Sequence, residues 1–550
     1  MKYLFVFLML ISARGFSQSR QDSSALLEEM GKIFALQFTE SERDSMLEGI
    51  KERTGIYQEL HLLPMPNQQP FPFAFNPAPP GFPIPDKQDK INWNIPNNIS
   101  LPANLEELAF YSITDLASLI KNKKISSVEL TSFFLTRLKK FNDTLHCVIS
   151  FTDSIAMQQA AIADSEIRRG KYRGPLHGIP YGIKDLFSVK GTTTSWGSTP
   201  YKDQMLDEDA FVYKKLQEAG AVLCAKLSLG ALAYNDLWFG GRTNNPWNLN
   251  QGSSGSSAGS ASAVSAGLLP FAIGTETWGS IVSPSHRCGV TGLRPSFGSV
   301  SRSGGMVLSW SLDKVGPICR SAKDAAIVFY YIKGTDGKDH SAIGRSFNYP
   351  VKTALADLRI AYAANYFKEL PSDAQQWSVI ETLRKQGAVI KEIQFPDSSI
   401  YGSKLMDIVI SSESAAAFDE LTRSNRDELI ERQDKNFWPN IFRTARMIPA
   451  VEYINANRHR YPIMEKINNL MKDYDVIIVP TFSGNQSAIT NLTGHPAIVF
   501  PIGFSPSGNP NSITMIGNLY DEASILTVAG YFQQASDHHK KQPPFFSVNK

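Results

Sequence analysis

Hydrophobic and polar positions along this chain follow the order expected of a layered α/β protein. Leu130, Phe134 and Leu138 recur every four residues, which predicts a helix with one apolar face that Ser127 could cap. Farther on, DAFVYKKLQEAG ends at Gly220, a typical helix stop, and the apolar run AVLCAKL follows as a buried strand. A helix, a glycine stop and a buried strand in succession predict an α/β sheet with helices on its faces.

The pattern extends to the C-terminus with one interruption. Residues from about 345 to 470 are more polar and more helical, and DVIIVP at 475–480 then restores a buried-strand pattern. The closing stretch YDEASILTVAGYFQQAS predicts another amphipathic helix. We therefore expect one large α/β domain over residues 106–550, with a variable helical insertion at about 345–470.

The first residues have the layout of a secretory signal. MKYLFVFLMLISARGFSQ combines a basic Lys2, an apolar run and small residues near its end. The apolar run is too short to span a bilayer. These features predict a signal peptide over residues 1–17 with cleavage after Ser17, and a secreted or periplasmic protein that is not attached to a membrane afterwards.

Residues 18–105 are predicted to form an added N-terminal segment on the main domain. Its first part reads as two helices, and the second opens with TESE, where Thr39 can cap and Glu42 can reach back. Nine prolines then fall between residues 64 and 85, a density that excludes regular helix or central strand. Aromatic side chains within this stretch predict docking on the main body: Phe71, Phe73 and Phe75.

Composition narrows the classes of function. The 550 residues carry 55 basic and 52 acidic side chains without long like-charge runs, which gives no support to a nucleic-acid partner. The sequence has no CxxC pair, no HExxH motif and no cluster of histidines, so it gives no support to a metal site. We expect few or no disulfides from the four cysteines, Cys147, Cys224, Cys288 and Cys319.

A glycine- and serine-rich stretch carries the candidate chemistry. Residues 252–267 read GSSGSSAGSASAVSAG, which alone is typical of a linker, but they continue directly into LLPFAIGTETWGSIVSP. Small residues in both segments let backbones approach closely and expose N–H groups, as a site for a developing oxyanion requires. Upstream, GPLHGIPYGIKDLF places Lys184 at the end of an apolar run, where it could be half buried.

Three of these stretches, in this order, resemble the amidase signature family. They are GPLHGIPYGIKD, the GSSGSSAGSASAVSAGLLPFAIGTETWGS block and GVTGLRPSFGSVSRSG. Further matching stretches, such as DVIIVPTFSG and the closing DEASILTVAGYFQQASDHH, extend the resemblance from about residue 110 to 540. It implies a single large amidase signature domain with a mixed central β-sheet covered by helices on both faces. It also implies hydrolysis of an amide bond without a metal or cofactor.

The family is known for a triad of a serine, a cis-serine and a lysine. Aligned without gaps back from GTETWGS, the segment SGSSAGS at 254–260 falls on the family's GGSSGGS, so Ser256 rather than Ser253 matches the middle serine. The resemblance then implies that Ser280 attacks, that Ser256 relays the proton after a cis bond, and that Lys184 accepts it. Gly255 and Ser257 would support the relay. The implied oxyanion hole consists of the backbone N–H groups of Thr277, Trp278, Gly279 and Ser280.

Taken singly, these residues have simpler interpretations. Lys184 alone would more often be a surface lysine, Ser256 and Ser257 turn residues, and Ser280 a helix cap. The chain also departs from the family pattern at Trp278, which replaces a glycine and would be strained if that position needs a positive φ. Further departures are Glu276 for an aspartate and Val282 for an arginine, and they put the family's substrate preference in doubt here.

The leading hypothesis is an exported amidase that cleaves a small-molecule amide or a C-terminal peptide amide through an acyl-serine. One alternative is a protein like the glutamine-hydrolysing subunit of the tRNA-dependent amidotransferase, which works with partner subunits in the cytoplasm; the signal peptide argues against it. Another is a non-catalytic amide-binding protein, for which Trp278 and the Pro/Phe-rich segment give some support. Proteins of this family are often dimers, so the resemblance is compatible with a homodimer, although the sequence itself does not give the oligomeric state.

Overall fold

The computed structural model describes residues 22–69 and 73–548. The predicted signal peptide and Phe71 therefore lie outside the described residues. The chain divides into two compact units, Met1–Pro66 and Asn67–Lys550.

The described part of the first unit consists of two helices, as the sequence predicts. Helix α1 covers residues 22–33 and helix α2 covers Glu40–Leu60. Thr39 caps α2 with a reciprocal pair of bonds, because its Oγ1 accepts from the N–H of Glu42 at 3.3 Å while the Glu42 carboxylate accepts from the N–H of Thr39 at 2.7 Å. The predicted capping box is confirmed.

The second unit alternates helices and strands. Its helices are α3 Ile113–Lys121, α4 Ser127–Leu145, α5 Asp153–Arg168, α6 Phe211–Glu218, α7 Ala258–Ser265, α8 Val282–Cys288, α9 Ala322–Ile332, α10 Ala364–Phe367, α11 Gln375–Lys385, α12 Leu405–Ala417, α13 Asp419–Arg423, α14 Trp438–Ala445, α15 Ala450–Met471, α16 Gln486–Leu492 and α17 Glu522–Ala535. Its strands are β1 Val148–Phe151, β2 Pro180–Lys184, β3 Val222–Leu227, β4 Leu237–Trp238, β5 Gly241–Arg242, β6 Asn244–Asn245, β7 Asn248–Gly252, β8 Phe271–Glu276, β9 Thr291–Arg294, β10 Lys314–Cys319, β11 Ile360–Ala363, β12 Ile390–Ile393, β13 Val476–Pro480, β14 Ala497–Phe504 and β15 Pro510–Gly517.

A mixed sheet of 11 strands forms the centre of this unit, in the order β1-β3-β2-β8-β10-β9-β14-β15-β13-β11-β12. Strand β2 runs parallel to both of its neighbours, β3 and β8. Strands β8 and β10 pair antiparallel, with Lys314 opposite Glu276 in register. The expected α/β fold with a mixed central sheet is confirmed.

Both faces of the sheet are covered, as alternate strand residues show. In β3, Leu223 belongs to an apolar cluster that includes residues of α9 and α17, whereas Val222 and Cys224 belong to a second cluster with residues of α4, α5 and α7. In β13, Ile478 joins the first cluster and Ile477 joins a third cluster that includes residues of α15. Because successive strand residues point to opposite faces, helices must pack on both sides.

The proline-rich stretch after Asn67 packs on the body of the second unit. The Asn67 amide donates to the Val307 carbonyl at 2.9 Å and accepts from the Val307 N–H at 2.8 Å. The Phe75 ring lies 5.1 Å from the Phe297 ring and under the Arg460 guanidinium at 3.6 Å. The docking expected of Phe75 is therefore seen, whereas Phe73 is 78% exposed.

Two local expectations differ from the structure. The cap of α4 is Ser126, not Ser127, because Ser126 forms the capping box with Glu129 while the Ser127 hydroxyl donates to the Gly178 carbonyl at 2.9 Å. The stretch 345–470 also contains β11 and β12, which extend the main sheet at one end. Each has four residues, too short for its pattern to stand out between helices.

Candidate active site

Lys184 lies at the carboxyl end of β2, in the interior of the sheet, and its side chain is fully buried. Its Nζ donates to the hydroxyl groups of Ser256 at 2.8 Å, Thr275 at 2.9 Å and Ser257 at 3.2 Å. Strand β2 is central and parallel to both neighbours, so its side chains have no access to solvent on either face. The half-buried lysine expected from the sequence is in fact completely enclosed.

Enclosure changes the basicity of this lysine. Burial lowers the pKa of Lys184 to about 7, since the protein interior disfavours the ammonium form, although the charges of Asp313 and Glu276 act in the opposite direction. No carboxylate forms an ion pair with its amine in the described part of the chain. A substantial fraction of Lys184 is consequently neutral near pH 7 and able to accept a proton.

The loop before α7 holds Ser256 against Lys184. The bond between Gly255 and Ser256 is cis, as the family resemblance implies. A Cβ on Gly255 would lie 1.8 Å from the carbonyl oxygen of Asn235, so only glycine fits there. Of the two candidate serines, Ser256 accepts the hydrogen bond from the Lys184 amine, whereas the hydroxyl of Ser253 donates to the carbonyl of Ser254 at 2.9 Å.

Ser257 connects this loop to β8 and to the loop that follows it. Its hydroxyl accepts from the N–H of Thr275 and donates to the Thr275 carbonyl, each at 3.1 Å. Its own N–H donates to the carbonyl of Ser280 at 3.1 Å. The two segments that the sequence singles out are thus held together by their backbones.

Ser280 is 9% exposed and lies at the end of the loop after β8. Its hydroxyl makes no hydrogen bond to Ser256 in the part of the chain that the structure describes. The structure therefore brings Lys184, Ser256 and Ser257 into direct contact, and it joins Ser280 to them through the backbone.

The loop from Thr277 to Ser280 is fixed at its first residue. The Thr277 hydroxyl donates to the Asp313 carboxylate at 2.5 Å. The left-handed conformation falls on Gly279, with φ of +83°, and not on Trp278, so the strain considered for Trp278 does not arise. Trp278 is 41% exposed, which places its ring at the surface beside the loop.

Glu276, one of the departures from the family pattern, anchors the segment after Ser280. Its carboxylate accepts from the N–H groups of Ile281 at 2.8 Å and Val282 at 3.0 Å, and from Arg294 at 2.9 Å. Burial would raise the pKa of Glu276, but Arg294 and Lys314 outweigh it and hold the pKa at about 2. An ionised carboxylate therefore ties the start of α8, where Val282 is the first residue, to the end of β8.

Sequence reasoning missed a second buried lysine close to the site. The Nζ of Lys226, in β3, lies 2.8 Å from the carboxylate of Asp185, and both side chains are fully buried. The other Asp185 oxygen accepts from the N–H of Ser195 at 2.8 Å. The available signal for this buried pair was a lysine inside the apolar run AVLCAKL together with an aspartate directly after the other apolar strand, β2.

Potential metal ligands and thiols do not form clusters or bridges in the described ranges. Among residues 22–69 and 73–548, no three His, Cys, Asp or Glu side chains come together in a metal-binding arrangement. Over the same ranges no helix has both the length and the apolar character needed to cross a bilayer. The four cysteines are free and buried.

Similar proteins match this chain over most of their length. The family model described as Amidase matches residues 129–490. The A subunit of the glutamyl-tRNA(Gln) amidotransferase of Coxiella burnetii is 33% identical over 478 residues, which cover 78% of this chain and 99% of that protein. The corresponding protein of Methylococcus capsulatus is 32% identical over 78% of this chain and 98% of its own.

Solved structures agree in fold. The peptide amidase of Stenotrophomonas maltophilia superposes with a TM-score of 0.71 at 27% identity, covering 80% of this chain and 100% of that one. An amidase family protein of Bacillus anthracis superposes with a TM-score of 0.71 at 25% identity, over 80% and 93% of the two chains. From these matches, and from the sheet and site described above, the chain belongs to the amidase signature family, whose enzymes act on carbon–nitrogen bonds.

Proposed function

We propose that this protein is an amidase that hydrolyses the C–N bond of a small-molecule amide or a C-terminal peptide amide through an acyl-enzyme on Ser280. The observation that carries the proposal is the buried amine of Lys184, with its pKa near 7, at 2.8 Å from the hydroxyl of Ser256. An amide carbonyl is a poor electrophile and a serine hydroxyl a poor nucleophile. Attack therefore needs a base close to the hydroxyl and donors close to the carbonyl oxygen.

Lys184 and Ser256 would carry a proton away from the attacking hydroxyl of Ser280 and later return it to the departing nitrogen. As the Ser280 oxygen bonds to the carbonyl carbon, its proton passes to Ser256, and the Ser256 proton passes to the neutral amine of Lys184. When the C–N bond breaks, the proton returns by the same route to the departing nitrogen. Water, activated in the same way, then cleaves the acyl ester and releases a carboxylic acid and free Ser280.

The loop from Thr277 to Ser280 would stabilise the negative charge that develops on the carbonyl oxygen. The backbone N–H groups of Trp278, Gly279 and Ser280 donate no hydrogen bond elsewhere in the described part of the chain. The Asp313 contact at Thr277 holds one end of this loop and Glu276 holds the residues after it. Preorganised donors of this kind contribute about 2.7 to 4 kcal/mol each in acyl transfer.

A panel of primary amides, aryl amides and C-terminally amidated peptides tests the proposal. The purified chain should release acid from members of the panel, and Ser280→Ala and Lys184→Ala should not. Ser253→Ala is the matched control, because the Ser253 hydroxyl donates only within its own loop; it should retain turnover. Equal turnover by Ser280→Ala and the unaltered chain would contradict the proposal.

A second candidate function is that of the glutamine-hydrolysing subunit of an amidotransferase. The identity of 33% along 99% of an amidotransferase A subunit favours it. A protein of this kind would hydrolyse glutamine in a complex with partner subunits. Glutamine hydrolysis that appears only when amidotransferase partner subunits are added would favour this function, whereas turnover of other amides by the purified chain alone would favour the first.

We also propose that the protein is exported, from the basic, apolar and small residues of positions 1–17. Expression of the full chain in a Gram-negative host, followed by fractionation and intact-mass measurement, tests this. The expected product lies outside the cytoplasm and begins at Gln18. A cytoplasmic product that still begins at Met1 would contradict export.

A further inference from the structure

The proline-rich stretch of the N-terminal segment borders a cavity beside the proposed catalytic residues. The cavity has a volume of about 340 Å³, and Thr275 and Thr277 line it. Thr275 accepts a hydrogen bond from Lys184, and Thr277 opens the proposed oxyanion loop. Gln68 and Phe73 of the proline-rich stretch line the same cavity. Both precede residue 129, where the match to the family begins, so their contribution lies outside the sequence that the family model describes.

Contacts on either side of these two residues hold the stretch against the cavity wall. Before them, the Asn67 amide exchanges two hydrogen bonds with the backbone of Val307, which itself lines the cavity. After them, the Phe75 ring packs on the Phe297 ring. The guanidinium of Arg302, another residue of the cavity wall, lies over that same Phe297 ring at 5.0 Å. Both anchors are therefore on the cavity wall or directly beside it.

Much of the cavity wall is apolar. The apolar side chains of the wall that are at most 6% exposed include Leu186, Phe187, Met306 and Leu308. A charged pair in the wall, Arg302 with Asp339 at 2.8 Å, is satisfied within itself. Pockets of this composition bind ligands mainly by burying apolar surface. A substrate group that enters this cavity is therefore expected to be apolar.

Phe73 differs from these side chains because it is 78% exposed. Single exposed apolar side chains are common on protein surfaces, but this ring borders an apolar cavity and belongs to an anchored stretch. An apolar group bound in the cavity would cover part of the ring, and both partners would then lose apolar surface to water. An aromatic group would gain further from ring-to-ring contact.

We propose that Phe73 is a specificity-determining residue, which contacts an aromatic group of the substrate at the mouth of this cavity. The protein then prefers amides that carry a phenyl ring on a short linker over amides with a methyl group in its place. This inference rests on the proposed amidase function. It gives the N-terminal segment a part in substrate selection, in addition to its packing on the main body.

Two series of matched amides test the inference by kinetics. The first contains the primary amides of acetic, phenylacetic and hydrocinnamic acid, and the second contains the acetamides of methylamine, benzylamine and phenethylamine. In the unaltered protein, kcat/KM for the best phenyl-bearing amide of at least one series should exceed that for its methyl counterpart by about tenfold or more. Phe73→Ala should lower this ratio about fivefold or more and change kcat/KM for the methyl counterpart less than about twofold.

Two further variants serve as controls for the kinetic test. Phe73→Trp retains an aromatic ring and should keep the preference. Phe545→Ala removes a ring that is 52% exposed and lies outside the residues that line this cavity, so it should also keep the preference. No preference in the unaltered protein, or equal ratios in Phe73→Ala and the unaltered protein, would overturn the inference. Equal losses in Phe73→Ala and Phe545→Ala would overturn it as well.

Thiol labelling separates failure of this inference from failure of the proposed function. The four native cysteines are buried, so Phe73→Cys in a Ser280→Ala background adds one accessible thiol that a maleimide can modify. A phenyl-bearing amide is added at about five times the dissociation constant measured by calorimetry on the same variant, and if it covers position 73 the labelling rate should fall about sixfold. Acetamide at the same concentration should leave the rate unchanged.

Phe545→Cys in the same background is the control thiol, and its labelling rate should not respond to any of the amides. Protection of Phe73→Cys alone supports the inference even if no amide of the two series is hydrolysed. Unchanged labelling of Phe73→Cys, or the absence of binding by every phenyl-bearing amide, overturns it even if amides are hydrolysed.

Discussion

At the scale of single residues, the protonation state of Lys184 determines when the site can work. Its pKa is lowered from 10.5 to about 7 by burial, so below pH 7 the amine is charged and cannot accept a proton. We predict that kcat/KM rises with pH up to about 7, close to tenfold per unit on the acid side, and then levels off. Rates measured between pH 5 and 9 on any amide that is turned over check this, and a rate that falls steadily over that interval would contradict it.

Gly255 is the second residue on which the site depends. A Cβ there would meet the carbonyl oxygen of Asn235 at 1.8 Å, so Gly255→Ala must displace the loop that carries Ser256. Displacements of about 1 Å can cost about 100-fold in rate, and we predict a fall in kcat of that order. Gly344→Ala is the control, because a Cβ at Gly344 meets nothing within 4 Å; its kcat should be unchanged. Full activity in Gly255→Ala would refute the steric argument.

At the scale of elements, Glu276 joins the end of β8 to the start of α8 through buried hydrogen bonds and the Arg294 pair. Glu276→Gln keeps the shape but leaves Arg294 without its counter-charge. Loss of one partner of a buried pair costs about 3 to 5 kcal/mol, and we predict a decrease of that order in the free energy of unfolding. Chemical denaturation measures it.

The matched control for Glu276 is Glu218→Gln, which removes a carboxylate paired with Lys215 on the surface, where Glu218 is 64% exposed. Its effect should stay below about 1 kcal/mol.

The ionisation of Glu276 also makes stability depend on pH, since the folded pKa of Glu276 of about 2 is below its ordinary 4.5. The stability that Glu276 contributes is present above pH 4.5 and is lost as the pH falls toward 2. Equal destabilisation by Glu276→Gln and Glu218→Gln would contradict the role assigned to Glu276.

At the scale of the whole molecule, the packed core keeps four free thiols away from solvent. All four cysteines are buried, and burial raises the pKa of Cys147 to about 12. We predict that a thiol reagent labels none of them in the folded protein and all four after unfolding, and that a reductant leaves the melting temperature unchanged. A melting temperature that falls on reduction would indicate a disulfide and contradict this structure.

Sequence patterns anticipated the features that are local and those that several motifs specify together. The cap at Thr39, the helix stop at Gly220 and the strand over 475–480 follow from short-range chemistry. The positions of Lys184 and Ser256 came from motif order, and the structure places them in contact. Features that depend on contacts between distant strands were not predictable, because the sequence of one strand does not reveal which strand pairs with it.

The Lys226–Asp185 pair and the unpartnered amine of Lys314 are such features. Each of these lysines lies in an apolar strand, which signals a buried charge, but only the packed sheet shows whether a counter-charge is near. The same reason explains why β11 and β12 were missed as members of the main sheet. Their pairing, and not their four-residue patterns, defines them.

The central claim is that Lys184, through Ser256, activates Ser280. The most direct test is the rate at which a fluorophosphonate forms a covalent adduct, with the modified residue identified by peptide mass spectrometry. The account predicts a single adduct on Ser280, formed about 100-fold or more slowly in Lys184→Met and Ser256→Ala and at an unchanged rate in Ser253→Ala. An adduct on another serine, or equal rates in all of these folded variants, would contradict it.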